Sequence, residues 1–566
     1  MSKNSYATAH YVAPAIQNTR RIGTLIAIFA SALLAHEAFA TDYVWTTGSG
    51  YWTNLSMWGG SGYPGQSSSD TATWNTTPAL TVTEDTTLTM STAYLRNTNA
   101  VTLQINSPAT LTITNAFVIG DLSSTTGSLI LVGGGTLAIT NGGTAQLIVG
   151  QGGQGTFNLN GGNLICDQII CTNNPNSTNQ YSILTSSAGS TCTVLHGSTW
   201  YANNFANYPV MNGTWNFFGG TNLFTNNTAS QATTLGTYGK INASGSNTLV
   251  RAVTPDSNSG GYFNVSSAGS SFVFTNGATL YCSAGAGHRF WFANAATSRF
   301  DNASMIISNM GVRVGSTGNN GSGGLLLITN NSYGAVYSPN YIMELGYGSN
   351  NTLVISGNST FTNNDGIVVG SSDGTRTTYN SMIVSAGGKW LQDRGYGLDS
   401  TYSYQAGYGA DYCMLIGNSY GNAATNDNNY ILVTGPTSVI NTPSMGVGIM
   451  GSVYAYSMAN SEMTNNYLIV SNGATVYVSA LAISTYEGSC TNLGVNVISN
   501  NYVLINGGSL YATTKLRIGS TNPSSGYASI MNGGLLQANT ITNVNPSCYV
   551  TNNGGIYQFT TATPAL

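Results

Sequence analysis

The chain has 566 residues, only 6% of them charged, and a formal net charge of −4. Ordinary soluble domains carry roughly 25% charged side chains, so helices with charged outer faces are excluded as the main building element, and an all-β, extracellular type of chain is indicated. Its 14 Lys and Arg are spread thinly along the length; they form no clustered basic face able to neutralise phosphates, which excludes nucleic acid as a partner.

Lys3, Arg20 and Arg21 precede an apolar run over 22–34, and Ala38-Phe39-Ala40 supplies the small residues that a signal peptidase needs. Residues 1–40 are therefore expected to be a signal peptide cleaved after Ala40, leaving a secreted or outer-surface chain that starts at Thr41. The run is too short for a comfortable membrane span, so no transmembrane segment is expected in the mature chain. Residues 41–80 then gather Trp45, Trp52, Trp58 and Trp74. The first coil of a stacked repeat exposes an apolar cross-section and unpaired backbone groups, and broad indole rings suit the cap it needs. The competing use of such rings is as a platform on which sugars stack.

From residue 81 to 566 the chain keeps rewriting one short unit. Asn465-Asn466-Tyr467-Leu468-Ile469-Val470-Ser471-Asn472-Gly473 is followed by Asn500-Asn501-Tyr502-Val503-Leu504-Ile505-Asn506-Gly507 and preceded by Asn428-Asn429-Tyr430-Ile431-Leu432-Val433. Looser copies include Phe157-Asn158-Leu159-Asn160-Gly161-Gly162 and Trp215-Asn216-Phe217-Phe218-Gly219-Gly220. Where the middle of the apolar triplet varies it turns polar, as at Gln104, Asn158 and Asn216. Strand side chains alternate between faces, so the outer two positions point into a core and the middle one toward water. The Asn-Gly or Gly-Gly that follows is a corner, because Gly accepts positive φ and Asn tolerates it. A second short strand and an apolar residue plus Gly close the unit, as at Ile416-Gly417 and Val447-Gly448. A unit of this size repeated over hundreds of residues indicates a single-stranded parallel β-helix, a solenoid of stacked coils. At roughly 27 residues a coil it would make some 18–20 coils and a rod about 90 Å long. Asn at the corners is expected to hydrogen-bond to the Asn above and below.

Asn-Gly between alternating runs also signals antiparallel hairpins, so an antiparallel β repeat architecture is the alternative. The spacing decides against a propeller: it runs from 25 residues (Tyr502 to Tyr527) to 37 (Tyr430 to Tyr467), whereas propeller blades recur steadily near ~40–50.

The opening Trp45…Gly50-Tyr51-Trp52…Met57-Trp58…Pro64-Gly65…Asp70-Thr71-Ala72, followed by repeats of the Leu-x-Val-x-Asn-Gly-Gly-x-Leu kind, resembles secreted bacterial β-helix proteins that carry autotransporter-associated β-strand repeats. The resemblance implies a passenger-like, adhesin-like stalk at the cell surface. It departs from a whole autotransporter in ending at Thr563-Pro564-Ala565-Leu566 without the alternating barrel strands of an outer-membrane anchor.

The seven cysteines (Cys166, Cys171, Cys192, Cys282, Cys413, Cys490 and Cys548) lack metal-finger spacing and read as small core residues. Cys171 and Cys192, about one coil apart, could stack as thiols or a disulfide. Gly150 to Gly155 carries Gln where a calcium-binding roll needs Asp, so no metal or other cofactor is expected. One stretch, at about 386–413, interrupts the repeat. It holds Lys389, Asp393, Arg394 and Asp399 among Trp390, Tyr396, Tyr402, Tyr404, Tyr408 and Tyr412. Carboxylates and bases on an aromatic groove are the equipment of polysaccharide lyases and hydrolases. A solvated insertion whose charges pair with each other is the plainer outcome. Trp390, Asp393, Arg394, Tyr402 and Tyr404 are the candidate glycan contacts, and no catalytic residue is assigned. His288-Arg289-Phe290-Trp291-Phe292, with Arg299 and Asp301, is a weaker candidate. The expected function is that of a non-enzymatic, secreted or cell-surface structural protein with an adhesin-like role. A glycan-binding module and a β-helix polysaccharide lyase or hydrolase are the alternatives. Partner classes open to it are glycans, other surface proteins and further copies of itself.

Overall fold

Short apolar triplets that alternate with Thr, Ser and Asn suit pleated strands, since one face is buried and the other is wet. In the computed structural model, residues 40–559 are described apart from internal segments, the longest being 393–413. Tyr430–Thr434 shows the pattern: Ile431 and Val433 are buried, and Tyr430, Leu432 and Thr434 are partly exposed. Three such strands make a coil. Gln154–Leu159, Asn163–Cys166 and Gln168–Cys171 are each paired in parallel with Ile183–Ser186, Thr191–Val194 and Ser198–Ala202 of the next coil. The pairing continues through a 40-stranded and a 9-stranded sheet, with a further 4-stranded sheet beside them. One ladder of parallel pairs leads from Asp42–Trp45 to Ile556–Phe559. The fold is a parallel β-helix, and the antiparallel alternative falls.

The core is one cluster that extends from Tyr43 to Cys548. Its rows stack like on like, as in Phe274 on Phe300 at 5.2 Å and Phe361 on Trp390 at 5.0 Å between ring centroids. At the N-terminal end Trp45, Trp52, Trp58 and Trp74 are all buried. Trp58, at the end of the 3-10 turn Leu55–Trp58, lies 4.8 Å from Trp45, 5.2 Å from Trp52 and 5.7 Å from Trp74. With their faces spent on each other, these rings cannot serve as a sugar platform.

Two expectations need correction. Cys171 and Cys192 do not stack, because they lie on different strands of the coil: Cys171 pairs in register with Val149 and Trp200, and Cys192 with Leu164 and Trp215. The described cysteines are free and buried. Trp390 belongs to the core: it is 0% exposed, its face is covered by Phe361, and its Nε1 donates to Gln392 Oε1 at 3.4 Å. It sits at an inward position of Lys389–Gln392, where alternation hides every second side chain. A feature not foreseen is the 4-stranded sheet of Arg376–Thr378, Thr425–Asp427, Glu462–Thr464 and Val497–Ser499. A second, smaller apolar cluster of Ile342, Val368, Leu415, Ile449 and Ala482 forms outside the main core.

Candidate functional site

The Asn-Asn-Tyr triplet that opens the downstream units divides its work among three directions. The first Asn turns the corner in the left-handed region, with φ of 56° at Asn428, 53° at Asn465 and 54° at Asn500. The second points inward and joins a buried column. Asn351 Nδ2 donates to Asn380 Oδ1, Asn380 to Asn429, Asn429 to Asn466 and Asn466 to Asn501, all at 2.9–3.0 Å. Each of those acceptor oxygens also takes the backbone N–H of the Asn before it, at 3.0–3.1 Å. The second amide proton goes to a backbone carbonyl: Gly348 for Asn380, Thr377 for Asn429 and Asn426 for Asn466. Buried carboxamides are thus satisfied at every atom, which removes the desolvation cost they would otherwise impose.

The column needs room, and glycine provides it. A Cβ at Gly346, Gly370, Gly417 or Gly448 would run into the carboxamide of Asn380, Asn429, Asn466 or Asn501. The column stops where the partner of Asn501 in the next coil is Gly526. There the position equivalent to Gly448 is Ser484, which fills the space, keeps a φ of 55° and accepts from Asn501 Nδ2 at 3.1 Å.

The tyrosines of these triplets, and Tyr527 and Tyr549 at the same position of the next two coils, point outward and stack. Tyr430, Tyr467, Tyr502, Tyr527 and Tyr549 lie 5.0–5.5 Å apart between centroids, with planes within 4–8° of parallel. Ring faces are therefore occupied by neighbouring rings, and edges and hydroxyls face solvent. Burial, and then the neighbouring phenols of Tyr502 and Tyr430, push the Tyr467 hydroxyl up to about 12; burial and the next phenol along also raise Tyr502 and Tyr527. Tyr467, Tyr502 and Tyr527 are thus neutral donor–acceptor groups at any physiological pH. Beside it runs a second outward column, Leu327, Val354, Ile383, Leu432, Ile469 and Leu504, in register and partly exposed. On its far side Ser385, Thr434 and Ser471 follow in register. Here the middle triplet position, expected to face water, is aliphatic for six successive coils. The preceding coil carries the Arg299–Asp301 ion pair on this face.

Of the residues proposed from sequence as glycan contacts, Trp390 is in the core, while Asp393, Arg394, Tyr402 and Tyr404 lie outside the described residues. In the weaker candidate Phe290 and Phe292 are core rings packed on Phe272, and His288 lies outside the described residues.

Several charged groups elsewhere do structural work. Asp167, buried, accepts through Oδ2 from the amides of Asn141, Gly143 and Ala145 at 2.6, 2.8 and 3.3 Å, and His196 Nε2 stands 3.9 Å from its Oδ1. Arg313 and Glu344 form a buried ion pair, and Arg96 holds Asp121 at 2.7 Å. Burial pushes the Cys171 thiol up to about 12 and raises those of Cys166, Cys192 and Cys282 as well, which makes them poor nucleophiles. Among the described residues no three of His, Cys, Asp and Glu converge as a metal cluster, and no helix is long and apolar enough to cross a membrane. No protein-family model, curated protein or solved structure matches this chain.

Proposed function

We propose that the protein is a non-enzymatic, exported structural rod held at or released from the cell surface, with an adhesin-like role. The observation that carries this reading is the single unbroken core, from Tyr43 to Cys548, in a chain with 6% charged residues. Among the described residues the outward strand positions are filled mainly by Thr, Ser, Asn and Tyr, with one aliphatic column among them. Such a surface suits contact and reach, and it is a poor source of the acid, base and charge neutraliser that polysaccharide cleavage needs together. Export is supported by the leader-like 1–40 segment and by the first strand, which begins at Asp42, next to the expected cleavage after Ala40.

Two measurements test it. N-terminal sequencing of the exported chain should begin at Thr41. Beads coated with the purified protein should attach to cells or extracellular matrix from its environment, and they should still do so after deletion of 393–413. Adhesion lost on that deletion with the fold intact, or new reducing ends or unsaturated products from a panel of anionic polysaccharides, would overturn the reading.

A further inference from the structure

We infer that the outer face of the strands from Leu325–Thr329 to Cys548–Asn553 is a binding site for a linear, uncharged, β-linked polysaccharide lying along the rod axis. The inference rests on the adhesin-like reading and gives it a ligand class and a site, distinct from the Trp390 region.

Three observations point the same way. The first is periodicity. Tyr430, Tyr467, Tyr502 and Tyr527 repeat at 5.0–5.1 Å, about the inter-strand spacing of a sheet and close to the advance of one pyranose unit along an extended β-linked chain. A polymer aligned with the axis meets an equivalent tyrosine at each sugar; one lying across it meets a single strand. The second is chemistry. Phenol hydroxyls run from Tyr430 to Tyr549, aliphatic side chains from Leu327 to Leu504 and small hydroxyls from Ser385 to Ser471, so the three columns lie side by side over Tyr430–Thr434 and Tyr467–Ser471. An extended sugar chain has the matching section, with hydroxyls along both edges and C–H groups between them. None of the five ladder hydroxyls bonds to another described residue. The third is charge. The outward positions of these strands carry none, and the first charged pair, Arg299 and Asp301, lies one coil upstream. A polyanion would find no counter-charge there, so the ligand is neutral.

The stacking also defines how the site works. Ring faces within the column are closed to sugars, and at its downstream end Tyr549 is 49% exposed. Recognition therefore comes from hydroxyl edges and the aliphatic stripe, many weak contacts in series, and affinity should grow with chain length.

The test uses the full mature chain and depletion onto microcrystalline cellulose, chitin and a soluble mixed-linkage β-glucan, with an acidic polysaccharide as control. The combined variant Tyr430→Phe, Tyr467→Phe, Tyr502→Phe and Tyr527→Phe keeps the ring stack and removes the hydroxyls; Ile469→Lys places a charge in the stripe. Binding to at least one neutral polymer, weakened tenfold or more by each variant with an unchanged circular dichroism spectrum, is the expected result. No binding to any neutral polymer, wild-type binding by the Phe variant, or preference for the acidic polymer would overturn the proposal. So would a concentration-dependent dimer abolished by Ile469→Lys in a protein that binds no polysaccharide, since the face would then belong to a second copy. Bead adhesion that persists while all polymers fail leaves the adhesin-like reading standing and removes only this ligand.

Discussion

At the Asp167 corner one carboxylate oxygen gathers the amides of Asn141, Gly143 and Ala145, a threefold arrangement that occurs once among the described residues and is not passed to the next coil. From Asn351 to Asn501 each corner is closed by the carboxamide of the coil that follows, so the same bonds recur step after step. The N-terminal end departs further from periodicity: four indoles pack edge to face instead of stacking in rows. The contrast teaches that an end or an irregular coil is closed by single, local devices, while a run of equivalent coils is closed by a motif that serves as donor to one neighbour and acceptor to the other. Coils in a solenoid are stabilised mainly by their neighbours, so damage to the first kind should remain local, and damage to the second should spread along the column.

The largest effect is expected at the aromatic end. Trp52→Ala removes a fully buried ring from the cluster and should cost about 4 kcal/mol of local stability. Hydrogen exchange should quicken over residues 42–95 and be unchanged beyond residue 350. Next comes pH. Glu84 is buried, with Oε1 accepting from the Thr86 amide at 2.7 Å and Oε2 without a partner. Burial pushes its carboxyl from 4.5 up to about 7. The folded chain then holds a proton that the unfolded chain has released, so stability is full below pH 4.5, falls as pH rises from 4.5 to about 7, and is level above that. The total is about 3 kcal/mol. Glu84→Gln should flatten this profile in the first coils and leave the Asn351–Asn501 region unaffected.

Breaking the periodic region should cost somewhat less at the site and reach farther. Asn466→Ala leaves the amide and the Nδ2 of Asn429 without their acceptor and should cost about 2 kcal/mol, with exchange accelerated over residues 426–505. The smallest effect sharpens the packing argument. Gly448→Ser meets the Asn501 carboxamide, yet Ser484 already holds the equivalent place opposite Gly526. In the double variant Gly448→Ser, Asn501→Gly the two costs should fall short of additivity by about 1 kcal/mol. Additive costs would mean that glycine and asparagine there do not share one space.

Much of this was legible in the residues. Alternation in Leu468-Ile469-Val470 and its copies assigns the core rows, and the Asn-Gly corners and uneven spacing together select a parallel coil. The repeated Asn-Asn-Tyr was visible too, but its meaning depends on register. Connections of very different length separate Asn380, Asn429 and Asn466, so only the coordinates bring their carboxamides into one column and Tyr430 and Tyr467 into one stack. Trp390 was misassigned for the same reason. Read with Asp393 and Arg394 it resembles a loop aromatic; read with Phe361, its in-register neighbour, it is the next core ring. Cys171 and Cys192 match in spacing but not in strand, and spacing alone cannot tell one side of a coil from another.

The central claim is that successive coils stack in parallel with a fixed step. Arg251 and Asn441 lie on one ladder, linked through Tyr281, Ile306, Ala335, Thr362 and Leu391; Gln537 continues it through Tyr477 and Tyr511. Spin labels on Arg251→Cys and Asn441→Cys, in a chain with Cys413→Ser and Cys490→Ser, should be separated by about 29 Å, and labels on Arg251→Cys and Gln537→Cys by about 43 Å, from a step near 4.8 Å. Narrow distance distributions at those two values, measured by pulsed electron–electron resonance, are what the account predicts. Equal distances, a reversed order or broad distributions would contradict it.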